Sequence, residues 1–148
     1  MGRIAEAVQG GGLVGIDTPA FIYAFEGHPT YLMPMRDLFL DLARGAIEGV
    51  TSVITLMEIA VRPWQLGLPR LVEDYEAYLS GYPHLVLCDV DRSIARLAAR
   101  LRADYRLRPA DSLQVATALD AGALAFLTND RALRRVRDIP VLIVDDFR

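Results

Sequence analysis

Short apolar runs alternate with helix-like patterns along most of the chain. Apolar residues at three- and four-residue spacings predict helices between the apolar runs, over 18–25, 31–48, 55–63, 69–81, 91–105, 109–121 and 130–137. The runs that predict strands are Leu13–Ile16, Val50–Ile54, His84–Val90, Leu124–Leu127 and Val141–Val144. Strands that are apolar on both faces and separated by helices form a parallel sheet covered on both sides. The pattern therefore predicts an α/β fold, a three-layer α/β/α sandwich with a central, mostly parallel sheet.

The length of 148 residues is that of a single domain. Residues 1–12 include three consecutive glycines and are predicted to form an N-terminal arm or loose helix, followed by one domain over 13–148. No apolar run approaches the roughly 18 residues of a membrane span. The N-terminus also lacks the apolar core of a signal peptide. We therefore expect a soluble, cytoplasmic protein that does not contact a membrane.

The composition excludes several kinds of chemistry. All 16 basic residues are arginines, so mechanisms that need a lysine amine are excluded. One cysteine, Cys88, and two histidines are too few for a cysteine- or histidine-rich metal site. The net charge of −3 gives no overall attraction to nucleic acid. Any nucleic-acid contact therefore requires a local basic patch or bound metal ions.

Four acidic residues stand in apolar or small-residue surroundings: Asp17, Glu58, Asp111 and Asp130. Each has a local explanation, because Asp17 and Asp130 could cap helices, Thr55 with Glu58 fits a capping box, and Asp111 complements a helix dipole. All four, however, follow a strand or fall in the first turn of a helix. In a parallel sheet these positions share one edge, where ligand sites form.

Carboxylates that converge repel one another unless cations neutralise them. Mg²⁺ and Mn²⁺ prefer oxygen ligands and often bind through a few carboxylates and water. Such ions can activate a water and stabilise the charge on a phosphodiester under in-line attack. The four positions therefore indicate either ordinary helix caps or a metal-dependent phosphodiesterase site.

Four segments resemble, in order and approximate spacing, the signature motifs of the PIN domain. They are Val14–Thr18, Thr55–Ile59, Arg108–Ala118 and Leu127–Asp130, and the resemblance extends over about residues 13–147. It implies a Mg²⁺- or Mn²⁺-dependent endoribonuclease with a PIN fold. Small PIN proteins mostly resemble VapC toxins of type II toxin–antitoxin pairs, which cleave tRNA or rRNA, usually form homodimers and are inhibited by an antitoxin protein. The arm over 1–12 departs from these toxins, which often begin almost directly with the first strand.

The resemblance also assigns roles to individual residues. Asp17, Glu58, Asp111 and Asp130 form the catalytic carboxylate cluster, in which Asp17, Asp111 and Asp130 hold the metal. Supporting hydrogen bonds come from Thr18, Thr128 and Asn129. The arginines directly after the last carboxylate are candidates for binding RNA phosphates, with a solvated helix face as the alternative: Arg131, Arg134 and Arg135.

Other functions are compatible with parts of this pattern. A housekeeping RNA-processing PIN nuclease has the same motifs and lacks only the antitoxin. A non-catalytic PIN-fold binding module is marked by the loss of acidic positions, and here all four are present. A receiver-type signalling domain and a haloacid-dehalogenase-type phosphatase both need a lysine that this chain does not have.

Overall fold

A central sheet of five strands organises the chain. The computed structural model describes residues 2–8 and 11–148, so positions 1, 9 and 10 of the predicted arm lie outside the described residues. The strand order is β3-β2-β1-β4-β5, and every neighbouring pair is parallel. The strands are β1 (Leu13–Ile16), β2 (Glu48–Ser52), β3 (Leu85–Cys88), β4 (Ala125–Thr128) and β5 (Val141–Ile143).

Helices cover both faces of this sheet. The helices are α1 (Ile4–Ala7), α2 (Thr18–Glu26), α3 (Leu32–Ala43), α4 (Val53–Gln65), α5 (Pro69–Gly81), α6 (Arg92–Tyr105) and α7 (Pro109–Asp120). One apolar core lies between the sheet and helices α1 to α5, and a second lies under α6 and α7. The predicted three-layer α/β/α sandwich is confirmed. None of the described helices is long and apolar enough to cross a membrane.

Several element ends differ from the predicted ones. The helix predicted over 31–48 ends at Ala43, because Gly45 adopts a left-handed backbone (φ 75°) and its N–H bonds back to Leu42 O. The helix predicted over 130–137 is a 3₁₀ helix, Arg131–Arg135. A second 3₁₀ helix, Val144–Phe147, follows β5. Local periodicity therefore predicts where these elements lie along the chain but not the residue at which each one ends.

The boundary between β2 and α4 also differs from the predicted one. The strand predicted over 50–54 ends at Ser52, whose hydroxyl accepts the Ile54 N–H at 3.1 Å and starts the helix. The proposed Thr55–Glu58 capping box is therefore wrong, since Thr55 lies inside the helix. Pro63 does not end α4 either; it falls within the last turn.

The predicted arm packs on the domain where it is described. Helix α1 contacts α3, and Ile4 and Val8 are buried in the first core. Arg3 donates to the buried Asp41 carboxylate at 2.7 and 3.2 Å. These contacts fix residues 3–8 against α3.

A glycine sets the distance between β1 and α7. A Cβ on Gly15 would lie 2.4 Å from the Ala118 Cβ, so only glycine allows this close approach. The resulting contact places the first turns of α7 beside the end of β1. The position of Asp111 and Gln114 relative to Asp17 depends on this packing.

Candidate active site

The four predicted carboxylates line one cavity at the carboxyl edge of the sheet. The cavity has a volume of about 300 Å³. Asp17 and Asp130 lie just beyond β1 and β4, which are adjacent in the sheet. The lining consists of Asp17, Thr18, Pro19, Ile22, Glu58, Arg108, Asp111 and Asp130. The tertiary structure therefore brings together all four acidic positions that the sequence singled out.

Asp17 is the most buried of the four, with 6% of its surface exposed. One carboxylate oxygen accepts the Thr18 N–H at 2.8 Å, which caps α2, and the other accepts the Thr128 hydroxyl at 2.8 Å. Burial raises the pKa of Asp17 to about 6, with a further rise from the charges of Asp111 and Glu58, although both hydrogen bonds act against it. Asp17 thus serves as a cap and as a site carboxylate together.

Thr128 forms hydrogen bonds to two of the acidic residues. Its hydroxyl donates to Asp17 and accepts the Asp130 backbone N–H at 3.2 Å. One side chain at the end of β4 therefore orients a carboxylate on β1 and the backbone of a second acidic residue.

Thr18 supports a different carboxylate from the one beside it. Its hydroxyl donates to Glu58 Oε1 at 2.6 Å, which aims the exposed Glu58 of α4 at the cavity. Because that hydroxyl has a single hydrogen, it only accepts from the Gln114 side-chain amide at 3.0 Å.

A buried network that the sequence analysis missed lies beneath these groups. Gln114 donates from Nε2 to both Thr18 and Thr55, at 3.0 and 2.8 Å. Thr51 donates to Ile16 O at 2.8 Å, so Thr55 must be the donor in the 2.7 Å contact between the two threonines. The network joins β1, β2, α4 and α7. In the described part of the chain, no buried side-chain N or O atom lacks a hydrogen-bond partner.

One signal in the sequence could have revealed Gln114. It lies three residues after Asp111 in a helix whose next residues, Val115 and Ala116, are apolar and buried. Residues three apart share a helix face, and a buried polar side chain needs a partner. Thr51 and Thr55 carry no comparable signal, since threonine is common at strand ends and helix starts.

Arg108 lies between the remaining two carboxylates. Its Nε donates to Asp111 Oδ2 at 3.0 Å, and its Nη2 lies 3.7 Å from Asp130 Oδ2. The side chain of Arg108 is 78% exposed, and these carboxylates raise its pKa. Asp130 also caps the following 3₁₀ helix by accepting the Ala132 N–H at 3.0 Å.

The donor set suits a hard divalent cation. All four acidic groups offer oxygen, which Mg²⁺ and Mn²⁺ prefer. A cationic guanidinium already bridges Asp111 and Asp130, so the position attracts positive charge. Within ranges 2–8 and 11–148, no three histidine, cysteine or acidic side chains stand close enough together to hold an ion as they are. Metal binding at this position therefore requires the carboxylates to close by side-chain rotation.

Asn129 is placed away from the carboxylates. Its amide donates to the Tyr23 hydroxyl at 3.0 Å, and its carbonyl accepts the Asp145 N–H at 3.0 Å. These bonds join α2 to the C-terminal 3₁₀ helix. Asn129 therefore stabilises the turn that carries Asp130 without touching the Asp130 side chain.

The arginines after Asp130 have different surroundings. Arg131 lies 3.3 Å from an Asp145 oxygen and 2.8 Å from an Asp146 oxygen, and Arg134 lies 2.6 Å from Asp146. Arg135 donates only to backbone carbonyls. The three predicted RNA-binding arginines thus differ in how far carboxylates neutralise their charge.

Comparisons with known proteins agree with this architecture. A VapBC2 complex from Rickettsia felis bound to promoter DNA has a chain of similar structure, with a TM-score of 0.70 and 18% identity over 88% of this chain and 98% of that one. A chain of a DNA-bound VapBC from Salmonella typhimurium has a TM-score of 0.67 and 25% identity, over 90% of this chain and 98% of that one. A chain of a toxin–antitoxin complex from Klebsiella pneumoniae has a TM-score of 0.66 and 19% identity, over 90% of this chain and 97% of that one.

No curated protein sequence matches the chain. The family model described as the PIN domain matches residues 14–139, which is most of the chain and includes all four carboxylates. The resemblance inferred from the four motifs is thereby confirmed. The chain is a member of the PIN-domain family.

Proposed function

We propose that this protein is a Mg²⁺- or Mn²⁺-dependent endoribonuclease that acts in the cytoplasm as the toxin of a type II toxin–antitoxin pair. The observation that carries the proposal is the convergence of Asp17, Glu58, Asp111 and Asp130 on one cavity at the carboxyl edge of the sheet. A cluster of carboxylates costs electrostatic free energy, which a structural role as helix caps does not require. The proposed substrate is structured RNA such as tRNA or rRNA.

Asp17, Asp111 and Asp130 would hold the metal. A bound divalent ion supplies water activation and charge stabilisation for phosphodiester hydrolysis. Hydrogen bonds hold two of these side chains: Thr128 and the Thr18 N–H bond to Asp17, and the Ala132 N–H bonds to Asp130. Such supporting hydrogen bonds set the direction of a ligand oxygen.

Glu58 is the carboxylate best placed to handle a proton. Its side chain is exposed at the cavity, and the Thr18 hydroxyl holds one of its oxygens at 2.6 Å. The second oxygen is left to accept a proton from an attacking water. The buried Gln114 fixes Thr18 and thereby the direction of Glu58.

The proposed partners are an antitoxin protein and a second copy of the chain. The similar structures from Rickettsia felis, Salmonella typhimurium and Klebsiella pneumoniae are toxin–antitoxin complexes by their descriptions. Helix α4 also carries exposed apolar side chains close to the site, namely Met57, Val61 and Trp64. Exposed apolar clusters of this kind are typical of protein interfaces. Co-expression with the product of the adjacent gene, followed by measurement of growth and of complex mass, tests both partners.

The central experiment is incubation of the purified protein, free of any partner, with total RNA at matched salt. We expect cleavage with Mg²⁺ or Mn²⁺, none with EDTA, and none by Asp17→Asn. Asp74→Asn is the matched control, because Asp74 is exposed on α5 away from the cavity. Cleavage that persists in EDTA or in Asp17→Asn contradicts the proposed metal site.

A further inference from the structure

A cleft lined by arginines lies next to the carboxylate cavity. Its lining is Asp104, Tyr105, Arg106, Arg135 and Arg137, and its volume is about 570 Å³. The three arginines are exposed. We call this surface the arginine cleft.

The charges of the arginine cleft are not neutralised by the protein. No carboxylate among the described residues lies within ion-pair distance of Arg106, Arg135 or Arg137. The one acidic residue in the lining, Asp104, pairs with Arg100 at 3.0 Å. Arg100 also pairs with Asp138 at 2.7 Å, and Asp138 accepts the hydroxyl of the lining residue Tyr105, so three unpaired arginines stand against two carboxylates that share one arginine. The cleft therefore keeps its positive charge although the whole chain is acidic.

Backbone carbonyls hold the central arginine in place. Arg135 donates from Nε to Tyr105 O at 2.9 Å, from Nη1 to Ala132 O at 2.7 Å and from Nη2 to Arg106 O at 3.4 Å. Neutral carbonyls fix the guanidinium without cancelling its charge. A rigid cation of this kind suits recognition of a phosphate, because little side-chain freedom is lost on binding.

The chain connects the arginine cleft to the cavity at two points. Arg106 and Arg108 are separated by one residue, so their Cα atoms lie at most about 7 Å apart. Arg108 itself pairs with Asp111 and Asp130. On the other side, the 3₁₀ helix that carries Arg135 begins directly after Asp130. This helix is only about 10 Å long, so Arg135 lies close to Asp130 along the chain. A strand of nucleic acid whose phosphodiester is in the cavity thus reaches the cleft within a few nucleotides.

We propose that Arg106, Arg135 and Arg137 bind the phosphate backbone of the RNA strand beside its cleavage site. This inference rests on the proposed ribonuclease function. It also changes the expectation for the neighbouring arginines: Arg131 and Arg134 are paired with Asp145 and Asp146 and contribute little.

The test measures binding of a fluorescein-labelled single-stranded RNA of mixed sequence by anisotropy, in EDTA to prevent cleavage, over a series of salt concentrations. The variants are Arg106→Gln, Arg135→Gln and Arg137→Gln. Each lost phosphate contact weakens binding at low salt and makes the slope of log K against log salt shallower by about 0.7. Arg131→Gln and Arg134→Gln are matched controls, which remove the same charge from paired arginines and are expected to bind as the parent does.

Arg135→Gln loses structural hydrogen bonds and could unfold, so thermal unfolding is measured for every variant. Arg106 and Arg137 make no side-chain hydrogen bond among the described residues, and their variants keep the test valid. The proposal is overturned if these two variants bind RNA as the parent does, if the controls weaken equally, or if the parent binds no RNA. Failure of the proposed nuclease function gives a different result. In that case the parent protein does not cleave RNA, but its RNA binding is still weakened by substitutions in the arginine cleft.

Discussion

The Nε of Arg108 donates to Asp111 Oδ2 at 3.0 Å, and the same guanidinium reaches towards Asp130 Oδ2 at 3.7 Å. If the proposed function holds, arginine and a divalent metal ion would compete for the same two oxygens. The arginine is 78% exposed, and an exposed ion pair contributes little to stability because solvent screens it. The competition is thus weak enough for an ion to displace the guanidinium.

This relationship predicts that Arg108→Gln binds Mn²⁺ more tightly than the parent, by up to about fivefold, because the variant has no guanidinium to displace from Asp111 and Asp130. Titration calorimetry at constant pH measures the affinity. Arg134→Gln has the same loss of charge beside Asp146 and is expected to leave the affinity unchanged. Equal affinity of Arg108→Gln and the parent contradicts the competition.

The raised pKa of Asp17 predicts a pH-dependent stability of the metal-free protein. A carboxyl whose pKa rises from 3.8 unfolded to about 6 folded favours the native state when protonated. The free energy of unfolding therefore contains the full stabilising contribution of protonated Asp17 below pH 4. This contribution decreases between pH 4 and 6 and is lost above pH 6. The difference amounts to at most about 3 kcal/mol.

Asp17→Asn should remove this pH dependence, since asparagine does not titrate. In EDTA at pH 7 we expect the variant to be more stable than the parent by about 1–3 kcal/mol, although it is inactive. Urea unfolding at pH 4.5 and at pH 7 measures both values. A variant that is less stable at pH 7 would show that the buried charge of Asp17 carries no cost.

Gln114→Met tests the buried amide–hydroxyl network. The substitution keeps the length of the side chain but removes the N–H groups that bond to Thr18 and Thr55 at 3.0 and 2.8 Å. Buried acceptors left without a donor cost about 1–3 kcal/mol. We expect a loss of unfolding free energy of that size, and lower cleavage because Thr18 also holds Glu58.

Ser93→Ala serves as the control for Gln114→Met, because Ser93 makes an exposed bond to Asp120 at 3.2 Å. Its expected effect is within about 0.5 kcal/mol. A Gln114→Met protein as stable and active as the control would mean that the network does not position the site.

Ile4→Ala tests whether residues before β1 belong to the folded unit. Ile4 is 2% exposed and lies in the first core, against α3. Removing a buried isoleucine side chain costs about 2–5 kcal/mol, whereas a detached arm would cost nothing. Urea unfolding compares this variant with Glu6→Ala, which changes an exposed residue of the same helix.

Much of the fold was predictable because it depends on local pattern. The apolar runs at 13–16 and 124–127 predicted two strands, which are adjacent in the structure, and the alternation with helices predicted a covered parallel sheet. The ends of elements were less predictable. Ser52, and not Thr55, starts α4, because β2 pairs with β3 up to Ser52 and the Ser52 hydroxyl accepts the Ile54 N–H where the strand ends.

The sequence by itself determined where the four carboxylates stand along the chain, and the parallel topology brought them to one edge of the sheet. Asp17 and Asp130 follow strands and Asp111 lies in the first turn of α7, but Glu58, expected in a first turn, lies in the second turn of α4 because the helix begins at Val53. Only the tertiary structure decided their partners. Gln114 and Thr18 are 96 residues apart, and Arg108 pairs with a carboxylate while Arg106 pairs with none among the described residues. Periodicity follows from the backbone geometry of each element. Pairing depends on distances across layers, which no local pattern contains.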